Sequence, residues 1–121
     1  MTTATYLVLL HGDEGQWQSR DAASLAALDA SHQEFVAACA RDGHEILAAH
    51  ELDYARTARV VRRGAGRPPE VTDGPFTEAV EQLGGFYLVR TADVDALVAL
   101  VADTLTEDAE IRPVVAGTQP R

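Results

Sequence analysis

His32 is the residue in this chain best suited to acid–base chemistry. It lies four residues after Leu28 and three before Phe35, on the apolar stripe of a segment rich in Ala and Leu. An imidazole takes up or releases a proton near neutral pH, so a histidine beside a cleft can act as a general acid or base. The alternative is a histidine packed in the core with one ring nitrogen hydrogen-bonded.

Two aspartates are candidate partners of that imidazole. Asp13 follows the first apolar run, and its carboxylate could orient the His32 ring as the acid of a catalytic triad does. Asp73 begins an Asp-Gly-Pro sequence and could act as a general base or a ligand contact. Both residues also suit turns, in which an Asp side chain accepts hydrogen bonds from nearby backbone N–H groups.

Three further residues are candidate ligand contacts. Tyr87 could offer its hydroxyl from a strand on which Phe86 points to the opposite face. Arg59 and Arg62 could bind a carboxylate or a phosphate. They belong to a group of five arginines between positions 56 and 67 that includes no acidic residue. The alternative is an edge hairpin whose charges prevent unwanted strand pairing.

The composition excludes some classes of function. The 121 residues carry a formal charge of −9, and all 10 basic residues are Arg. General nucleic-acid binding needs a basic footprint, so this balance argues against it but allows a small anion site. The four histidines and the single cysteine, Cys39, lack metal-site spacing, so neither a metal nor a cofactor is expected. No apolar run is long enough for a membrane span or a secretory signal, which predicts a cytoplasmic protein.

The elements that must position these residues form one predicted domain over residues 1–121. Strands are predicted at residues 6–10, 46–52, 57–63, 85–90 and 110–115, with residues 70–72 completing a hairpin. Helices are predicted at residues 22–41 and after the Asp93 cap, with a helical turn at 77–82 and a loose tail at 116–121. This order is typical of an α+β, ferredoxin-like split βαβ sandwich.

The two helices of such a fold cover one face of the sheet and leave the other face open. Ile46, Val61 and Phe86 are expected on the open face, where they would meet water. Pairing with a second copy of the chain removes such an apolar surface from water. We therefore expect a two-fold homodimer.

The sequence VTDGPFTEAVEQLGGFYLV at residues 71–89 resembles the signature of the DGPF-domain branch of the YCII-related family. The opening YLVLLHGDE at residues 6–14 and the pair Arg112-Pro113 are similar to the same family. The resemblance implies a ferredoxin-like dimeric α+β barrel, with a His and an Asp beside a cleft for acid–base chemistry. His32 stands eleven residues before Gly43, the spacing at which the family places its histidine.

These observations predict a dimer that binds a small, anionic metabolite. Its chemistry would be cofactor-free proton transfer of the lyase or isomerase kind, with His32 as the proton carrier and Asp13 or Asp73 beside it. The alternative is a non-catalytic regulatory or protein-binding module whose acidic surface attracts a basic partner. The resemblance adds a sigma-factor-like partner to that alternative, and neither reading includes direct contact with nucleic acid or a membrane.

Overall fold

The structure is a computed structural model that describes residues 2–117. In chain order its elements are β1 (Ala4–Asp13), α1 (Glu14–Gln18), α2 (Ala22–Asp42), β2 (Glu45–Glu51), β3 (Arg59–Arg62), β4 (Glu70–Asp73), β5 (Glu81–Thr91), α3 (Val94–Thr104) and β6 (Asp108–Pro113). Four strands form an antiparallel sheet in the order β2–β5–β1–β6. Because β5 lies between β1 and β2, the strand–helix–strand unit is split, which confirms the ferredoxin-like α+β fold.

The two long helices begin and end at the residues that the sequence marks. The carboxylate of Asp21 accepts a hydrogen bond from the Ser24 N–H at 2.8 Å, which caps the N-terminus of α2. Gly43 ends that helix in the left-handed conformation, with φ at 81°. Asp93 caps α3 in the same way, because its carboxylate accepts from the Ala96 N–H at 3.1 Å. Both predicted helices are confirmed.

The core lies between these helices and one face of the sheet. Side chains alternate along a strand, so Val8 and Leu10 of β1 point to the same face as Tyr87 and Val89 of β5. Burying each large apolar side chain contributes roughly 1.5–3 kcal/mol to folding. The buried cluster consists of Val8, Leu10, Phe35, Cys39, Tyr87, Val89, Leu97, Val101 and Leu105.

The opposite face of the sheet carries the alternate set of strand residues. Leu7 pairs with Leu88 and Leu9 pairs with Phe86, and all four point away from the helices. We call these four residues the outer face. Three residues were predicted to lie on the open face of the sheet, and Phe86 is the one of the three that belongs to the outer face. Ile46 pairs with the buried Val89 and packs against the core instead.

The predicted hairpin forms, but it is not part of the main sheet. Strands β3 and β4 pair only with each other in a separate two-stranded sheet, with Arg59 opposite Asp73 and Arg62 opposite Glu70. Val60 is the single buried residue of these two strands. Val61 therefore lies on this hairpin, and not on the open face of the main sheet where it was expected.

Two local predictions are wrong. The first strand was predicted to end at residue 10, but β1 continues to Asp13 and leads directly into α1. Residues 77–82 do not form a helical turn, because β5 begins at Glu81, where it already pairs with Asp13 of β1. Thr77 instead uses its hydroxyl to accept a hydrogen bond from the Ala79 N–H at 3.2 Å.

Of the tail predicted to be loose, residues 118–121 lie outside the described part of the chain, and Ala116 and Gly117 form a turn. None of the helices within residues 2–117 has both the length and the apolar character needed to cross a bilayer.

Candidate active site

His32 lies on α2 next to the part of the helix that packs in the core, and its side chain borders a cavity. One turn further along α2, Phe35 is fully buried, whereas the His32 side chain keeps 25 % of its surface exposed. The helix therefore uses its apolar stripe to fix His32 beside solvent-accessible space. This is the position that acid–base chemistry requires and that a sealed core histidine would not have.

Both ring nitrogens of His32 are hydrogen-bonded to side chains from other elements. Nδ1 lies 2.6 Å from the hydroxyl of Tyr87 on β5, and Nε2 lies 2.7 Å from Oε2 of Glu107. Glu107 lies in the short connection between α3 and β6. The rings of His32 and Tyr87 are also stacked, with centroids 5.8 Å apart. The three side chains therefore form a Tyr–His–Glu chain, which we call the His32 triad.

Electrostatics in the triad favour the charged forms of His32 and Glu107. The hydrogen bond to Glu107 raises the pKa of His32 against the opposing effect of burial, and the charges of Asp29 and Glu51 add to the rise. Burial acts to raise the pKa of Glu107, but the hydrogen bond and charge of His32 lower it overall. The interaction therefore favours the imidazolium form of His32 and the carboxylate form of Glu107 relative to the two groups on their own.

Tyr87 remains a neutral hydroxyl in this environment. Burial, followed by the negative charge of Glu107, raises the pKa of Tyr87 to about 12. A phenol in that state both donates and accepts hydrogen bonds, so it can transmit a proton without becoming a stable anion. The hydroxyl is therefore suited to relay a proton between His32 and a molecule in the cavity.

The cavity beside the triad has a volume of about 680 Å³. Its walls come from α1, α2, the end of β2 and the Gly84-Gly85 segment of β5, and we call it the His32 cavity. The apolar part is provided by Leu10, Trp17, Leu25 and Leu28, and the charged part includes Arg20, Asp29, Glu51, Asp53 and Glu107. A pocket that combines apolar side chains with converging polar groups is typical of a small-molecule site.

Two glycines create the space that holds Trp17 in the wall. A Cβ atom on Gly12 or on Gly84 would lie 2.5 Å from the Trp17 indole, which is closer than real Cβ atoms approach. Gly84 lies where the register between β1 and β5 shifts, because Leu10 pairs with Gly85 and His11 with Leu83. The Gly-Gly pair therefore allows a bulge and a close approach of an aromatic ring.

The structure brings two of the six predicted site residues, His32 and Tyr87, together at the cavity. Asp13 is on β1, where its carboxylate accepts a hydrogen bond from the Gly15 N–H at 2.8 Å and caps α1. The carboxylate that contacts His32 belongs to Glu107.

The other three predicted site residues lie on the hairpin. Asp73 is exposed at the end of β4, opposite Arg59. The guanidinium of Arg62 lies over the Phe76 ring, 4.7 Å from its centroid, and donates to the Phe76 carbonyl at 3.0 Å. Asp73, Arg59 and Arg62 are absent from the walls of the His32 cavity.

Sequence reasoning missed three residues of the site. Glu107 is separated from His32 by 75 positions, and no periodic pattern connects the two residues. Arg20 was not predicted, because the prediction of an anion site was based on the five arginines between positions 56 and 67. Trp17 had a usable signal, since it is the only tryptophan in the chain and it follows the first strand by a few residues.

Within residues 2–117, the His, Cys, Asp and Glu side chains form no group of three that could hold a metal ion. The hydrogen bonds that join Tyr87, His32 and Glu107 give this arrangement a route along which a proton can move.

Comparison with known protein families finds a domain whose residues include both the sheet and the candidate site. The YCII-related domain matches residues 4–115, a stretch that includes every residue of the His32 triad and both glycines that hold Trp17. A search of curated proteins found no match to the chain. Because the matched region covers nearly the whole sequence, the chain belongs to the YCII-related family.

Proposed function

We propose that this protein binds a small metabolite in the His32 cavity and moves a proton on it without a cofactor, in a reaction of the lyase or isomerase kind. The observation that carries the proposal is the His32 triad. His32 forms part of the wall of a cavity of about 680 Å³, and both of its ring nitrogens are hydrogen-bonded, to Tyr87 at 2.6 Å and to Glu107 at 2.7 Å.

We also propose that the chain belongs to the DGPF branch of its family. The support for this proposal is the sequence Asp73-Gly74-Pro75-Phe76.

The proton path follows from the two protonation states of His32. In the neutral ring, Nε2–H donates to Glu107 and Nδ1 accepts from the Tyr87 hydroxyl. In the protonated ring, Nδ1–H donates to the Tyr87 oxygen, which frees the phenolic O–H to donate to a bound molecule. When Tyr87 gives its proton to the ligand, it takes one from Nδ1, so that the net change is the transfer of one proton from His32 to the ligand.

Each member of the triad has a distinct role in this scheme. Tyr87 is the catalytic residue that touches the ligand, and His32 stores the proton. Glu107 is the positioning residue, which fixes the ring orientation and stabilises the imidazolium as the acid of a triad does. The role that the sequence suggested for Asp13 or Asp73 is thus assigned to Glu107.

The test combines a binding screen with hydrogen exchange. Small carbonyl compounds, including pyruvate and phenylpyruvate, are screened by thermal shift, and compounds that bind are incubated with the protein in heavy water. Proton NMR then measures deuterium incorporation next to the carbonyl. We expect His32→Gln and Tyr87→Phe to slow this exchange by about 10²–10⁴-fold, the usual contribution of a general acid or base.

His11→Gln is the matched control, because His11 lies on β1 outside the walls of the cavity. The control should exchange at the wild-type rate. A screen in which nothing binds the wild-type protein, or a His32→Gln variant that exchanges at the wild-type rate, would refute the proposed function.

We further propose that the protein is a homodimer that pairs through the outer face. The four residues of this face, Leu7, Leu9, Phe86 and Leu88, form two cross-strand apolar pairs in the centre of the sheet. Apolar side chains in such a row are stabilised when a second copy covers them.

The second candidate function is a regulatory module that binds a protein, with a sigma-factor-like partner as the class to test. The hairpin supports it, because Val71 and Phe76 are exposed beside Arg59 and Arg62. Cross-linking in the native host should then capture one partner, and Phe76→Ser should abolish capture. Equal capture by the Phe76→Ser variant and by a Val98→Ser control on α3 would contradict this function.

A further inference from the structure

Arg20 has the properties of a ligand-binding arginine. It lies one residue before the Asp21 cap of α2 and is the one arginine, among those described, in the wall of the His32 cavity. Its Nε is buried and makes no hydrogen bond within residues 2–117, and its guanidinium takes part in no ion pair there. Buried polar groups almost always have partners, so a guanidinium with an unsatisfied nitrogen beside a cavity is a place where a bound molecule can supply an acceptor.

Glu107 presents the complementary group on the same cavity. Its Oε2 is engaged by His32, whereas its Oε1 is buried and has no side-chain partner in the described part of the chain, and the backbone N–H groups of Thr106 and Glu107 act on the carboxylate to lower its pKa. Leaving a buried polar atom unsatisfied is costly, and more so when the group is charged. The cavity thus offers one unused donor, on Arg20, and one unused acceptor, on Glu107.

We propose that the ligand is a small carboxylic acid that also carries a hydroxyl or amino group. This inference rests on the proposed function and names its substrate class. The carboxylate would bind the Arg20 guanidinium, whose planar array of N–H donors matches the two oxygens of a carboxylate. The hydroxyl or amino group would donate to Oε1 of Glu107, which places the ligand beside Tyr87 and His32.

The other charges of the cavity favour a carboxylate over a phosphate. Asp29, Glu51 and Asp53 also belong to its walls, and the charges of Asp29 and Glu51 add to the rise in the pKa of His32 that the hydrogen bond to Glu107 mainly causes. A phosphate monoester carries more negative charge than a carboxylate and would be repelled more strongly by these residues. A carboxylate carries a single negative charge, so it is repelled less than a phosphate monoester at the same position.

The apolar walls of the cavity indicate what kind of side group the ligand carries. Trp17, Leu25 and Leu28 provide a surface for an aromatic or branched aliphatic side group. A carboxylic acid with one such group fits both the polar and the apolar parts of the cavity. We therefore choose 3-phenyllactate as the probe, with 3-phenylpropionate lacking its hydroxyl and 3-phenyllactamide lacking its carboxylate.

Binding is measured by the fluorescence of Trp17, the only tryptophan in the chain. We expect 3-phenyllactate to bind at least about tenfold more tightly than either analogue, because each analogue leaves one buried group unpaired. Arg20→Gln should weaken the acid by at least about tenfold and leave the affinity for the amide unchanged. Arg20→Lys, which keeps the charge, should retain part of the affinity and also shows that the site folds.

Arg62→Gln is the matched control, because Arg62 lies on the hairpin, and it should bind 3-phenyllactate as the wild type does. The inference is overturned if Arg20→Gln keeps the wild-type affinity, if the amide binds as tightly as the acid, or if the wild type does not bind the acid. It is also overturned if inorganic phosphate displaces the acid at equal concentration. Each of these results is separate from the exchange rates of the His32 and Tyr87 variants, which test the proposed function.

Discussion

The hydrogen bond between His32 and Glu107 makes folding stability depend on pH in both directions. The pKa of His32 is raised above its ordinary value of 6.5, so its contribution is fully present below pH 6.5 and is lost as pH rises through the folded pKa. The pKa of Glu107 is lowered below 4.5, so its contribution is fully present above pH 4.5 and is lost as pH falls through the folded pKa. The pair is therefore most stabilising between these two values.

Glu107→Gln tests this dependence. We expect the loss of unfolding free energy caused by the substitution to be largest between pH 4.5 and 6.5 and to shrink on either side of that range. Urea unfolding of both proteins at a series of pH values measures it. A loss that is constant across the pH range would show that the charges of the pair do not contribute.

Gly84→Ala tests the packing of Trp17. The added Cβ would lie 2.5 Å from the indole, so the ring must move, and the cost should be about 1–3 kcal/mol with a shift in tryptophan emission. Gly64→Ala is the control, since its Cβ would meet its nearest neighbour at an ordinary 3.7 Å. Unchanged emission and stability in Gly84→Ala would contradict the tight packing described above.

At the residue scale, the sequence identified the members of the triad that lie within recognisable patterns. His32 interrupts an apolar helical stripe, and Tyr87 alternates with Phe86 along a strand. Glu107 had no such pattern, because the fold alone brings the connection after α3 next to α2. Arg20 was missed for a similar reason, since burial of one nitrogen atom cannot be read from spacing.

At the element scale, capping residues made the long helices predictable. Asp21, Gly43 and Asp93 act through local hydrogen bonds and backbone conformation, so their effect is visible in the sequence. The errors occurred where tertiary pairing decides the outcome. Sheet pairing extends β5 back to Glu81 and extends β1 to Asp13, and both extensions override local turn and helix preferences.

The packing of α3 gives a prediction at this scale. Leu97 is fully buried against the sheet, whereas its neighbour Val98 is 45 % exposed. Leu97→Ala should lower the unfolding free energy by about 2–5 kcal/mol, because it leaves a cavity in the core. Val98→Ala should change it by less than about 0.5 kcal/mol. Similar losses in the two variants, measured by urea unfolding, would mean that α3 does not pack as described.

At the scale of the whole molecule, the outer face determines the expected state of assembly. Leu88→Arg places a charge in the middle of that face and should convert the proposed dimer into a monomer, which light scattering after gel filtration measures. Val98→Arg, on the exposed side of α3, is the control and should remain dimeric. A wild-type protein that is monomeric at all concentrations tested would contradict the proposed dimer.

The separate sheet of the hairpin has a consequence for how the molecule opens. Strands β3 and β4 pair as strands only with each other and contain one buried side chain, Val60, whereas β1 and β5 run through the core. Regions with few buried apolar groups open locally at a lower free energy than the whole protein unfolds. The amide hydrogens that pair Arg59–Arg62 with Glu70–Asp73 should therefore exchange with solvent long before those of the central strands. The polypeptide would then consist of one slowly exchanging body and one rapidly exchanging appendage.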